Sequence, residues 1–284
     1  MQFSPSVRRR SRRAANSSAP AVTEADRTAF HDAGYIALPG PFASPEELRA
    51  LARLVDRQFD RFHNLSEEIA MDLGGPRGPY GSLIRVPDID HIMSLDRAFF
   101  RDPAVAAFWA VAEELYGGPL QLTFNHAIYK PAGKSGDVPW HQDSGYDPSD
   151  RDTLTVWIPL QDTDTTNGCL RYVPGSHHTG AKAHVDLEGR HGKVLVDPVD
   201  EEQVIYVPVP AGGVLIHRRH SVHGSGPNDA DLPRRTLILN LTSPVGLRET
   251  ARMALGHAHI KRLSLEGYLA ARKNKDRGSA SALR

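Results

Sequence analysis

The chain has 284 residues, 40% of them hydrophobic, with 34 basic and 34 acidic side chains. That is enough for one large domain with a real core, or two small ones; without the five arginines at positions 8, 9, 10, 12 and 13 the body has 29 basic (34 − 5) against 34 acidic side chains, and so mildly acidic a body gives no reason to expect a nucleic-acid surface. The single cysteine, Cys169, excludes an internal disulfide, and no apolar run approaches the ~20 residues of a membrane span.

Arg8, Arg9, Arg10, Arg12 and Arg13 crowd the N-terminus, with no acidic residue before Glu24. The Ala-Ala-Asn-Ser-Ser-Ala-Pro that follows lacks the apolar region of a secretory signal, so residues 1–22 read as a disordered, solvated leader. The chain is therefore expected in the cytoplasm, without membrane or nucleic-acid partners, as a monomer or weak homo-oligomer. Residues 23–284 read as one domain, with helical support over 23–118, a β core over 119–245 and a helical tail over 246–284.

Thr23 with Asp26 predicts a helix start, and Gly34 its end. Tyr35-Ile-Ala-Leu reads as a short strand. Ser44-Pro45-Glu46-Glu47 places Ser at the N-cap, Pro at N1 and Glu at N3 of a second helix. Leu48, Leu51, Val55, Phe59 and Phe62 follow at helical spacing, so one face is buried. Residues 72–92, rich in Gly and Pro, predict a loop. Asp102-Pro103 opens a third helix, which Gly117-Gly118 stops.

Beyond Gly118 the period changes. Strands are predicted at Leu120–Lys130, Val138–Asp143, Leu154–Leu160, Leu170–Val173, Lys193–Val196, Gln203–Val207, Gly213–His217 and Thr236–Leu241, separated by turn signals. Many short strands with tight turns indicate a sandwich or barrel. Residues 260–275 read as a basic helix.

His141 and Asp143 stand two apart at the end of a strand-like run, so they share a face and can converge on one ion. A third ligand from a distant strand completes a 2-His-1-carboxylate face, which leaves positions on iron(II) for a chelating co-substrate and O2. His-x-Asp alone is weak, since the chain has 14 histidines and a second match at His184-Val-Asp186. Spacing separates them. In a jelly roll the third ligand lies roughly 50 residues or more beyond the first pair. His141 to His223 is 82 residues (223 − 141), whereas His184 to His223 is 39 (223 − 184). The His184 pair is read as surface.

His217, His220 and His223 compete for the third place, and the turn Gly-Ser-Gly-Pro-Asn after His223 favours that one. On a continuing strand His217 and His223 would share a face. Arg234 opens the next strand and would lie beside His223 on adjacent antiparallel strands, where its guanidinium can grip the far carboxylate of a dicarboxylate. Ser225 can add a hydroxyl. Cys169 reads as a small buried residue beside a turn.

Three ordered pieces carry a resemblance: Trp140-His-Gln-Asp143, Asn167-Gly-Cys-Leu-Arg-Tyr-Val-Pro-Gly-Ser-His177, and His223-Gly-Ser-Gly-Pro-Asn228 with Arg234. Over residues from about 25 to 245 the chain resembles the phytanoyl-CoA dioxygenase family of iron(II)/2-oxoglutarate oxygenases. The resemblance implies a mainly β fold, a double-stranded β-helix (jelly roll, cupin-like) with a helical shell. It implies an oxygenase that uses Fe(II), 2-oxoglutarate and O2 to hydroxylate a small molecule: a secondary metabolite, an amino-acid-like compound or an acyl-CoA. His141, Asp143 and His223 match the family's iron ligands. Arg234 and Ser225 match binders of the co-substrate's 5-carboxylate, and Gln142 and Trp157 match further co-substrate contacts. His126 falls where relatives carry a contact of varying type, and Arg85 stands where a lysine reaches in from the upstream loop.

The substrate wall is expected from the helical shell and the 72–92 and 131–139 loops, including Lys134, with Tyr80, Arg85, Tyr146 and Arg218 as candidates. Two other readings use the same residues. One is a cupin-like isomerase that does not use 2-oxoglutarate and would survive Arg234→Ala. The other is a catalytically silent binding protein.

Overall fold

The computed structural model describes residues 22–62, 71–72, 84–87, 102–133, 136–146, 151–186 and 192–246, with the backbone alone for 57–62, 71–72 and 84–87. The leader, the tail, Tyr80 and Lys134 lie outside the described residues. Among the described residues three α-helices lie in the N-terminal part of the chain, and their starts follow the capping rules. In α1 (Glu24–Ala33) the Thr23 hydroxyl accepts from the Asp26 N–H while Asp26 accepts from the Thr23 backbone. Gly34 ends the helix at φ 82°, a left-handed conformation that glycine adopts without cost. Ser44 and Glu47 make the same reciprocal pair at the start of α2 (Pro45–Phe62). At α3 (Pro103–Tyr116) the Asp102 carboxylate accepts from the N–H groups of Ala104 and Val105. Asp102→Ala leaves both donors without that acceptor, and a loss of ~1 kcal/mol is expected, read as a lower urea midpoint.

Strands form two sheets. The larger contains β1 (Tyr35–Leu38), β2 (Met71–Asp72), β3 (Ile84–Pro87), β4 (Gln121–Lys130), β6 (Thr153–Pro159), β11 (Val214–Arg218) and β13 (Arg234–Thr242), in the order β1-β11-β6-β13-β4-β3-β2. The smaller contains β5 (Val138–His141), β7 (Leu170–Tyr172), β10 (Ile205–Val207) and β12 (His223–Ser225), ordered β10-β7-β12-β5. A separate hairpin pairs β8 (His184–Asp186) with β9 (Lys193–Leu195). The two main sheets enclose a jelly-roll interior.

The larger sheet is buried on both faces. Its outward residues, Leu154, Val156, Ile158, Val214, Ile216, Leu237, Leu239 and Leu241, join Phe30, Leu51, Val55, Phe108 and Ala112 of the helices in one core. The alternate residues point inward: Trp157, Leu215 and Ile238 pack with Leu170, Tyr172 and Val207 of the smaller sheet. Arg235 follows the outward parity and pairs with Asp56 of α2 at 2.6 Å, while Arg234 follows the inward one.

Two expectations change. The stretch expected as a loop over 72–92 contains β3, which pairs with β4 in the larger sheet. β-branched Ile84 and Val86 suit that pairing despite the surrounding glycines and prolines. The strand carrying His217 also does not continue to His223. The chain turns after Arg218, and β12 belongs to the opposite sheet.

Candidate active site

His141 ends β5 and stands opposite His223 in the β5–β12 register, with ring centroids 4.2 Å apart. Asp143 opens a short 3-10 turn (Asp143–Gly145) just after β5. Its Oδ1 lies 3.9 Å from Nε2 of His141 and 3.8 Å from Nε2 of His223. One ligand atom from each residue falls within 4.8 Å of the others, and among the described residues no other group of this kind gathers.

The donors are oriented from behind. His141 Nδ1–H donates to Pro139 O and His223 Nδ1–H to Ser221 O, each at 2.9 Å, so both Nε2 lone pairs face inward. Oδ2 of Asp143 accepts from Thr155 Oγ1–H and, at 3.1 Å, from His217 Nε2–H. Behind these, Tyr172 O–H donates to His217 Nδ1 at 2.8 Å and Asn240 Nδ2–H to Thr155 Oγ1 at 2.9 Å. Oδ1 of Asp143 is thereby left for an ion. Burial alone would raise the Asp143 carboxyl, but the His217 hydrogen bond and the neighbouring imidazoles hold it well below the ordinary carboxylate range. Burial pushes both His141 and His223 down, His223 well below its usual value. Neutral imidazoles beside an ionised carboxylate are the protonation states a divalent metal requires, and two nitrogens with one oxygen suit iron(II).

The donors face a cavity of about 360 Å³. At one end lies Arg234, 1% exposed, its guanidinium 5.4 Å from the Trp157 ring centroid and donating to Thr236 Oγ1 and Gly168 O at 3.2 and 3.0 Å. Its Nε and the Ser225 Oγ are buried with no hydrogen-bond partner among the described residues. Two orphaned polar atoms in one apolar end are a fit for a carboxylate. Gly168 is required here: a Cβ would come within 2.5 Å of Gly226 O. Lys130, also fully buried, lies behind this end, its Nζ donating to Gly136 O at 2.9 Å and to Gly226 O.

His141, Asp143, His223, Arg234, Ser225, Trp157 and His126 all line this cavity, together with Tyr146. Gln142 does not. It is extended between two residues that share a face, so its side chain points to the other. There it donates to Gly180 O at 2.9 Å and His220 O at 2.6 Å and accepts from Lys182 N–H at 2.8 Å. The co-substrate contact that the resemblance implies for Gln142 is not present in this arrangement. The backbone of Arg85, in β3, pairs with Ile128 of β4, and its side chain lies outside what the structure describes.

Arg218 is not among the described residues that line the cavity: it faces outward, pairing with Asp152 at 3.3 Å and lying over the Phe30 ring. His223 and Arg234 do not sit on adjacent strands; they reach the cavity from opposite sheets. His184 is half-buried rather than superficial, accepting from the Gln142 backbone N–H at 3.0 Å, whereas Asp186 is exposed and pairs with Lys193. His220 contacts Ser144 Oγ at 3.0 Å. Cys169 is buried, as expected, and burial pushes its thiol pKa up. Nothing local in the sequence marks the support of Asp143 by His217 and Thr155; only the inward parity of both residues points to it.

A family model described as phytanoyl-CoA dioxygenase (PhyH) matches residues 30–236, well over half the chain. The phytanoyl-CoA dioxygenase of Arabidopsis thaliana is 24% identical over 254 residues, covering 77% of this chain and 88% of that protein. A Stutzerimonas stutzeri protein named "Probable alpha-ketoglutarate-dependent hypophosphite dioxygenase" is 33% identical over 134 residues, but the match spans only 43% of this chain and 45% of the relative. Among solved structures, EvdO2 from Micromonospora carbonacea var. aurantiaca is similar with a TM-score of 0.67 and 29% identity, covering 79% of this chain and 92% of that one. Sequence match, jelly-roll core and inward donor set agree, and the chain belongs to the phytanoyl-CoA dioxygenase family of iron(II)- and 2-oxoglutarate-dependent oxygenases.

Proposed function

We propose that the protein hydroxylates an unactivated C–H bond of a small molecule, with 2-oxoglutarate as co-substrate and iron(II) held by His141, Asp143 and His223. The carrying observation is that one cavity holds the three inward donors and, at its end, the orphaned Ser225 Oγ and Arg234 Nε. A dicarboxylate spans both. Its far carboxylate meets Arg234 and Ser225, and Trp157, Leu170 and Ile238 keep water from that contact. When bound, iron(II) supplies the redox chemistry by which O2 converts 2-oxoglutarate and substrate R–H into succinate, CO2 and R–OH.

His217 and Thr155 hold Asp143 ionised and aimed, and the Nδ1 hydrogen bonds hold both imidazoles in the ligating tautomer. Asp143 itself supports hydroxylation over halogenation, which needs that coordination position for chloride.

The test is an anaerobic titration of the metal-free protein with Fe(II), then 2-oxoglutarate. A weak visible charge-transfer band is expected in the wild type and not in His223→Ala. Bound iron without that band would count against the co-substrate and favour a cupin-like enzyme. Succinate release then serves to screen substrates.

A further inference from the structure

A buried lysine stands behind the co-substrate end of the cavity. His126 and Ile128 of β4 line the cavity, and Lys130 continues their parity by one more step. It lies directly opposite Arg234 in the β4–β13 register, so the two side chains leave the same face of the sheet. Lys130 is fully buried, whereas a lysine seldom is unless its head is paired. Its Nζ donates to Gly136 O at 2.9 Å and to Gly226 O.

Those two carbonyls flank Ser225. Gly226 follows the last residue of β12, and Gly136 comes two residues before β5 begins. Toward β7 the strand pairs regularly, with Ser225 opposite Leu170. Toward β5 the register shifts between His223 and Ser225, so the ladder that sets His223 against His141 does not carry through to the hydroxyl. On that side the Lys130 head spans the gap, joining the chain just past Ser225 to the chain just before β5.

Gly226 also supports Arg234. A Cβ on Gly168 would meet Gly226 O, so the two backbones are packed together there. Gly168 O in turn accepts from Arg234 Nη2 at 3.0 Å. Asn228 holds the same loop to the end of β4, donating to Lys130 O at 3.2 Å and to Pro131 O at 2.9 Å. The Gly226 carbonyl is therefore a shared footing. The chain leads from it directly to Ser225, and packing leads from it through Gly168 to the guanidinium.

We propose that Lys130 is a positioning residue for the co-substrate: through the Gly226 carbonyl it sets the spacing between the Ser225 hydroxyl and the Arg234 guanidinium that receive the far carboxylate. The inference rests on the function proposed above, in which those two groups are the carboxylate's partners. Lys130 does not itself line the cavity, so its effect travels through them.

The test compares the full wild-type chain with Lys130→Met, which fills similar space and donates nothing. Iron(II) affinity is read by chelator competition, and 2-oxoglutarate affinity by anaerobic calorimetry and the visible band. Lys130→Met is expected to weaken 2-oxoglutarate roughly tenfold or more, the scale of losing a supporting contact behind a ligating group, with iron affinity unchanged. At saturation the band should keep its wild-type position, because the chelating end of the co-substrate meets the same donors. In a cycle with Ser225→Ala the two losses should combine to less than their separate effects, since one acts through the other. Wild-type 2-oxoglutarate affinity in folded Lys130→Met, an equal loss of iron, or full additivity with Ser225→Ala would overturn the assignment. Should Lys130→Met not fold, Lys130→Arg decides, because its wider head must displace Gly226: co-substrate affinity should fall there as well, and a wild-type value would overturn the assignment. A wild type that binds iron but not 2-oxoglutarate would instead strike the proposed function itself.

Discussion

Arg234→Met is expected to weaken 2-oxoglutarate binding roughly a hundredfold or more, the cost of removing one partner of a buried, hydrogen-bonded ion contact. Iron affinity should be unchanged, because Arg234 touches none of the three donors. Arg234→Lys should restore little. An ammonium is a point charge and lacks the fork that reaches both Thr236 and Gly168 while presenting Nε to a ligand.

The pH dependence follows from burial, which lowers the Arg234 pKa to about 9 in the absence of ligand. Below that value the guanidinium is charged and competent, so affinity should be flat near neutrality and fall as pH rises through about 9. Above about 9 the unfolded chain, whose arginine keeps its proton to far higher pH, binds more protons than the fold, so the desolvation cost is fully present at neutral pH and is relieved as pH rises through the folded value. An anion at this position relieves the same cost, and 2-oxoglutarate should raise the melting temperature at neutral pH. Calorimetric titration of the wild type and both variants checks each statement, and an unchanged Kd in Arg234→Met would remove Arg234 from the co-substrate site.

The second large effect concerns a residue that touches no metal. His217→Ala removes the hydrogen bond from Nε2–H to Asp143 Oδ2 and leaves Tyr172 O–H without its acceptor. Loss of such a supporting contact costs about 10–100-fold in metal affinity. His217→Gln can still donate an N–H and should recover part of that loss. A chelator competition measures the affinity and a thermal melt measures the fold, which separates positioning of Asp143 from general loosening of the core. If iron affinity in folded His217→Ala equals the wild type, Thr155 alone suffices to hold the carboxylate.

Much of this architecture is local and was legible in the sequence. The caps at Thr23, Ser44 and Asp102 are satisfied within three residues, so spacing alone locates the helix starts. His141 and Asp143 share a face through strand alternation. The same alternation turns Gln142 the other way, so motif correspondence and geometry disagree there, and geometry decides. What was not legible is non-local. His217 meets Asp143 across 74 residues, and which sheet receives β12 depends on the turn after Arg218 rather than on periodicity. β3 was obscured because glycine and proline around it mask a short pairing with β4.

The outward turn of Gln142 has a consequence for the life of the protein. Its amide joins the segment carrying His141 and Asp143 to Gly180 and Lys182, and to His220, three residues before His223. The two ligand-bearing segments are thus tied together on the side away from the ion. Ferrous iron is easily lost or oxidised in air, and a site assembled only by its metal would come apart at each loss. Here the cross-tie belongs to the polypeptide, so spent metal can be exchanged for fresh in a vessel that keeps its shape. The side chain of Gln142, not the ion, then ties the ligand-bearing segments to one another.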